Sequence, residues 1–311
     1  RQAIRKGAVV HTIADANNAI NNIASQAINT PATAIFDTYN AWPTILAEIA
    51  SAIATELNKS APVATTTVSN EAKVIAASLL SGERKAILLG NAAAHHSNAS
   101  DILSLANWIG QRTNASVGYL TEAANTVGAQ WVGAQPLKNG LSAGQMLSNG
   151  KTGLKAVLLL NNEPEFDSAA GKLAKNALSQ AQMVVSLNPF KANMEVCDVM
   201  LPIAPFTETS GSFVNAEGRL QSFHAVVKPL GETRPAWKVM RVLANMLSVP
   251  GFDFESSADV LKQLQGQHAD IQTAVTSSLN NLTDAKIDLS SSNGAPVTAS
   301  IYQLDGIVRR A

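Results

Sequence analysis

Apolar residues along this chain fall into two alternating patterns, short unbroken runs and longer stretches spaced by three and four. Ala86–Gly90, Ala115–Leu120, Lys155–Asn161 and Ala181–Asn188 are runs of strand length. Trp42, Ile45, Leu46, Ile49, Ile53 and Leu57 give one helical face over 41–58, with Pro43 in its first turn. Val74, Ile75, Ala76, Leu79 and Leu80 predict a helix over 70–81, capped by Ser69 or Asn70 and ended by Gly82. Ile102, Leu103, Leu105, Ala106 and Ile109 predict another over 100–112, and a further helix is expected over 166–180. Strands that do not alternate with polar residues, separated by helices, indicate a parallel sheet covered on both faces. The expected fold is therefore α/β, a doubly wound, mainly parallel, Rossmann-like sheet with flanking helical segments and right-handed crossovers.

The remaining stretches are less regular. Gly7–Ile13 is β-branched and reads as a strand, whereas 14–34 is Ala- and Asn-rich and reads as helix or irregular structure. Residues 59–67 have linker composition, and 121–153 form a long glycine-bearing connection. Residues 196–201 form a short strand, at whose end Pro202 stops the pairing, and a polar loop over 207–221 follows. A short strand over 223–227, a helix over 237–247 started by Pro235, and shorter helices over 259–265 and 271–279 complete the pattern. The Ser- and Asn-rich 281–300 stretch is expected to be poorly ordered in part. Three divisions result: an N-terminal strand and helical segment of a preceding domain (1–66), the α/β domain (67–250), and a C-terminal helical extension and tail (251–311).

Composition narrows the function classes. Lys plus Arg and Asp plus Glu are 23 each, with no basic block, so nucleic acid is not an expected partner. No apolar run approaches the length of a membrane span, which argues against direct membrane insertion. The single cysteine, Cys197, excludes an internal disulfide, a four-thiolate iron–sulphur cluster and a zinc site built on cysteine clusters. The start at Arg1–Gly7, without initiator Met or signal-peptide apolar region, reads as the interior of a longer chain.

Candidate chemistry sits at strand ends and in the polar loop, where open α/β sheets bind ligands. His95 and His96 follow the strand ending at Gly90; adjacent histidines do not face one way on a helix, so exposed loop histidines are expected. Asn161-Asn162-Glu163-Pro164-Glu165 occupies the equivalent place after its strand, and its carboxylates suit a helix start. No G-x-G-x-x-G stretch follows any strand. Cys197 reads as a buried structural thiol inside an apolar strand, the alternatives being a metal ligand or a reactive thiol. Glu208, Asn215, Glu217 and Arg219 gather charge between Gly211 and Gly218 and on their flanks. They either hydrogen-bond one another to pin the loop, or let Arg219 grip an anion in bidentate fashion.

The stretch 196–240 carries a resemblance. Asp198-Val199-Met200-Leu201-Pro202, then Glu208, Gly211, Asn215, Glu217-Gly218-Arg219 and Gln221, resembles the molybdopterin-dependent oxidoreductases and their relative, the iron–sulphur subunit family of NADH–quinone oxidoreductase. Val227–Lys238 is similar to both, and Ile301–Ala311 resembles the latter. The resemblance to that subunit family implies a non-catalytic scaffold part of a membrane-associated complex at the cytoplasmic face of the bacterial inner membrane. Its partners would be other subunits of the peripheral arm, with iron–sulphur clusters expected in an N-terminal region of the parent chain and no cofactor in this part. The alternative is a part of a molybdopterin-guanine-dinucleotide enzyme such as a formate dehydrogenase. Asn161, Glu208, Asn215 and Arg219 are then the candidate remnants of a cofactor site, with no catalytic residue and no metal ligand expected here.

Overall fold

The computed structural model describes residues 2–16, 34–147, 153–290 and 305–310. They form two compact units, Arg1–Glu122 with Asn280–Thr298 and Ala123–Leu279 with Ala299–Ala311. The architecture is α/β, with parallel sheets and flanking helices, as the strand and helix alternation predicts.

In the first unit β1 (Thr12–Asp15) pairs in parallel with β2 (Ala34–Asp37), and β3 (Ala86–Leu89) with β4 (Ser116–Tyr119). β1 begins later than the expected 7–13. Gly7, at φ +90°, closes a turn on Ile4 instead. The 17–33 part of the expected 14–34 segment lies outside the described residues. Helices α1 (Trp42–Glu56), α2 (Asn70–Ser81) and α3 (Ala99–Thr113) pack together around Ile49, Ile53, Ile75, Ile102, Leu105 and Ile109. Burying each of the large aliphatic side chains stabilises the unit by roughly 1.5–3 kcal/mol. Ser69 accepts a hydrogen bond from the Ala72 N–H, the expected cap, and Glu48 of α1 accepts both the Ser69 N–H and hydroxyl at 2.9 and 2.7 Å. Helix α3 lies so close to β4 that a Cβ on Gly110 would sit 2.6 Å from Val117.

Of the 281–300 stretch, expected to be poorly ordered in part, residues 281–289 are held in place. They run along α3, where Ser104 donates to the Ala285 carbonyl (2.9 Å) and Asp101 accepts the Asp288 N–H (3.0 Å). Ile287 and Leu289 pack on the same core. Polar side chains on one helix thus satisfy backbone groups that regular pairing leaves open. Residues 291–300 lie outside the described residues.

In the second unit β5 (Ala156–Leu160), β6 (Met183–Asn188) and β7 (Val199–Pro202) form a parallel sheet with β6 in the centre. Pro202 lies within β7, opposite Asn188, rather than beyond it; an edge strand tolerates a missing N–H. The helix expected over 166–180 is broken into a turn at Pro164–Asp167 and α5 (Leu173–Ser179), which packs Ala174, Ala177 and Leu178 on the sheet. Ser168 is extended and Gly171 stands at φ +54°, so the backbone cannot continue through. The long connection contains α4 (Thr126–Trp131) and a turn at Ala143–Leu147.

The polar loop is not a loop throughout. β8 (Gly211–Val214) and β9 (Leu220–Phe223) form an antiparallel hairpin, which takes the place of the strand expected over 223–227. The hairpin rests on α4 and a C-terminal helix through Val214, Trp131, Ile271 and Ala274. The expected helices follow as α6 (Ala236–Met246), α7 (Ser257–Gln267) and α8 (Ile271–Ser277).

Helix α7 starts with a capping box in which Ser256 and Asp259 each bind the other's backbone N–H. The Ser256 hydroxyl, then its N–H, holds the Asp259 carboxyl below the usual carboxylate range. A depressed carboxylate supports the fold above its unfolded pKa and loses that support as pH falls through its folded one. Protection of the Ser256 and Asp259 amides, relative to the intrinsic exchange rate at each pH, should therefore persist at neutral pH and fall only on acidification below the ordinary carboxylate range. Loss of protection on raising the pH instead would refute the cap's role.

Candidate functional site

The carboxyl ends of β5 and β6 hold a dense set of polar side chains. β5 ends at Asn161, which adopts φ +49° and donates its N–H to the Leu187 carbonyl of β6. That turn brings Glu163 inward at the start of the Pro164–Asp167 turn, with its side chain only 6% exposed. Its two oxygens take separate cations: Oε1 meets Arg310 at 2.8 Å and Oε2 meets Arg309 at 3.2 Å. Arg309 also reaches Asp167 Oδ1 at 3.1 Å, and the other Asp167 oxygen accepts the Glu163 N–H at 2.7 Å. The guanidiniums lie over aromatic rings, Arg309 on Phe166 (4.6 Å) and Arg310 on Phe190 (4.2 Å). Nearby, Asn193 donates to the Asn162 carbonyl and the buried Ser186 hydroxyl, and Asn188 accepts the Phe190 N–H.

Residues 161–165 do start a short helical turn, with Glu163 at its N-cap and Glu165 and Asp167 in its first turn, and the cluster gives Glu163 a further role. Glu163 is buried and paired, and its partners come from the far end of the sequence. Glu165 does stay near the surface, bound to Lys175 at 2.8 Å. That hydrogen bond, then one to Glu195, holds the Lys175 ammonium above the usual lysine range. Sequence reasoning missed Arg309, Arg310 and Asp167. The available signal was a pair of adjacent arginines and a Glu-Pro-Glu-Phe-Asp run that needed partners once folded.

The structure does not gather Glu208, Asn215 and Arg219 into one network, nor link them to Asn161 by any hydrogen bond among the described residues. Glu208 accepts the Leu230 N–H at 3.0 Å. Asn215 accepts the Glu217 and Arg219 N–H groups at 3.0 and 2.9 Å, which shapes the β8–β9 turn. Arg219 points outward, 70% exposed, with Glu217 at 3.9 Å. Cys197 precedes β7 in a turn, half-buried beside the α5 cluster, rather than inside the strand. It binds the Asn193 carbonyl through its N–H, so the chain turns before pairing starts.

In the first unit the two histidines after β3 behave differently. His95 is exposed and pairs with Glu122 at 2.8 Å. His96 is buried, against the expectation of an exposed loop residue. Its Nδ1 accepts the Asn98 N–H and its Nε2–H donates to the Tyr39 carbonyl, each at 2.9 Å, with the ring against Tyr39 and Trp42. Among the described residues no group of three His, Cys, Asp or Glu side chains is placed to hold a metal, and no helix is long and apolar enough to cross a membrane. A separate groove of about 540 Å³ lies against α6, lined by Leu201, Val239, Val242, Leu243 and Met246. Its exposed wall is mainly apolar, with Arg234, Lys238, Arg241 and Glu255 also on its lining.

Parallel strands whose carboxyl ends carry polar turns define an α/β protein of the type that places ligands at strand ends. Residues 45–246, more than half of the chain, match the molybdopterin oxidoreductase family, and the chain belongs to that family. It is similar to a Bacillus subtilis protein named as an oxidoreductase, YjgC, with 39% identity over 69 residues, 22% of this chain and 7% of that protein. It is also similar to a Staphylococcus aureus protein named as a formate dehydrogenase, with 46% identity over 57 residues, 18% of this chain and 6% of that protein. These matches therefore span only a small part of the relatives' lengths.

The family implies a phosphate-bearing pterin cofactor, for which a strand end such as that of β5 is the natural place. A phosphate there would face Glu163 and Asp167, while the two guanidiniums nearby are already bound to those carboxylates. Like charges in a poorly hydrated pocket repel strongly. As folded, this strand end does not fit an anionic group.

Proposed function

We propose that this chain is a non-catalytic scaffold part of the iron–sulphur subunit of an NADH–quinone oxidoreductase. In this reading it supports electron transfer from NADH to quinone by packing against other subunits of the peripheral arm, at the cytoplasmic face of the bacterial inner membrane. It holds no cofactor of its own, and the clusters lie elsewhere in the parent chain. The observation that carries the reading is the Glu163–Arg309–Arg310 cluster, which fills the β5 strand end with the chain's own side chains. The role of Asn215 in fixing the β8–β9 turn adds support, since its side-chain oxygen accepts two backbone N–H groups, and one Glu208 oxygen likewise accepts the Leu230 N–H. The 196–240 motif and the Ile301–Ala311 resemblance supply the link to this subunit family.

The names of the similar proteins favour a second reading, a part of a molybdenum enzyme of the formate dehydrogenase kind. Metal and pterin analysis of the intact parent chain separates the two. The scaffold reading expects iron without molybdenum or pterin in the parent, and neither iron nor NADH oxidation in the purified 311-residue chain. Stoichiometric molybdenum or tungsten with a bound pterin would overturn it in favour of the enzyme.

A further inference from the structure

The segment that fills the β5 strand end is itself built for that place. The Asp305 side chain accepts the Ile307 and Val308 N–H groups at 2.8 and 2.9 Å, folding 305–310 into a tight turn. Arg310 donates back to the Gly306 carbonyl at 2.7 Å while reaching Glu163. Gly306 lies against Phe190, where an added Cβ would be 3.4 Å from the ring. The segment's own apolar side chains contribute little, for Ile307 and Val308 remain 44% and 37% exposed. Attachment therefore rests on two guanidiniums, each bound to a carboxylate and laid over an aromatic ring. Paired carboxylates flanked by ring faces are the chemistry of a guanidinium receptor, since the fork of arginine bonds carboxylates while its plane stacks on rings.

We infer that the cleft at the carboxyl ends of β5 and β6 is a guanidinium-binding site, and that Asp305–Arg310 is its ligand in cis, a latch that docks and releases as one piece. The latch belongs to the same chain as the cleft, so its docking is intramolecular. A free ligand must compete with that. The inference concerns the cleft alone and stands whichever parent complex the chain belongs to.

The test uses the full chain carrying Arg309→Ala and Arg310→Ala, and a labelled peptide of sequence Asp-Gly-Ile-Val-Arg-Arg as probe. The peptide should bind the double variant saturably and the unaltered chain at least tenfold more weakly. Adding Glu163→Gln to the double variant should weaken binding at least tenfold, and a peptide with both arginines replaced by alanine should not bind. A folded double variant that binds the peptide no better than the unaltered chain overturns the inference. So does sedimentation of the unaltered chain as a dimer that exchanges its latches. If the double variant does not fold, hydrogen exchange on the unaltered chain decides. Millimolar arginine amide should speed exchange of the 305–310 amides, and lysine amide at equal ionic strength should not. Equal effects of the two cations would overturn the guanidinium site.

Discussion

Replacing Glu163 by leucine lowers the stability of the β5–β7 unit by about 3–5 kcal/mol, the usual cost of removing one member of a buried ion pair. The magnitude follows from burial rather than from the count of charges. Glu163 is 6% exposed and Arg309 12%, so Arg309 cannot regain full hydration when its partner is lost, whereas Arg310, at 35%, recovers part of it. Arg309 keeps Asp167, whereas Arg310 keeps only the Gly306 carbonyl and the Phe190 ring. Combining Glu163→Leu with Arg310→Met should therefore recover most of the loss, because apolar replacement of both partners removes the stranded charge. Glu217→Ala gives the contrast. Its pairing with Arg219 is 3.9 Å long and exposed, and its loss should cost less than about 0.5 kcal/mol. Native-state hydrogen exchange of the β5 and β6 amides reads both effects. A Glu163 substitution as mild as that of Glu217 would mean that the cluster is hydrated and fills nothing.

Most helices and the parallel strands were legible because each rests on local apolar spacing. The α3 face is visible in Ile102, Leu105 and Ile109 alone, and the β5 run cannot be mistaken for a polar segment. The errors fall where long-range contacts decide. Nothing local distinguishes His96 from His95, yet one ring is buried on Tyr39 and Trp42 and the other faces water. Residues 281–289 are polar enough to look partly unstructured, yet Asp101, Ser104 and Asn107 of α3 bind their backbone and Ile287 and Leu289 pack on the core. The candidate site shows the same limit. Asn161 marks the correct strand end and the acidic run a helix start, but the pairing of Glu163 is invisible locally because its arginine partners lie more than 140 positions away. The 207–221 motif was singled out for its charges, while its backbone was the informative part: Asn215 makes a hairpin turn, and Val214 anchors it.

That hairpin supplies the second large effect. Gly218→Ala should destabilise the hairpin and its supporting helix by about 2–5 kcal/mol, from two separate causes. At φ +76° a side chain meets its own backbone, which costs about 1–2 kcal/mol. An added Cβ would also lie 2.7 Å from Val275 of α8, an overlap that repacking relieves only at about 1–3 kcal/mol. The carbonyl of Gly218 accepts the Gln272 side-chain amide at 3.0 Å, so the turn cannot simply swing away from α8. Shortening the obstacle with Val275→Ala should recover the overlap part of the Gly218→Ala loss and leave the backbone part. Arg219→Ala, one position on, should change stability by less than about 0.5 kcal/mol because its side chain is exposed. Exchange protection of the β8 and β9 amides measures all three variants. The outcome separates two uses of the same motif. A glycine required by close packing on α8 loses both parts with Val275 in place and recovers the overlap part without it, whereas a glycine kept open for a bound ligand would lose only the backbone part and gain nothing from Val275→Ala. Neutral Gly218→Ala together with a costly Arg219→Ala would overturn the packing account.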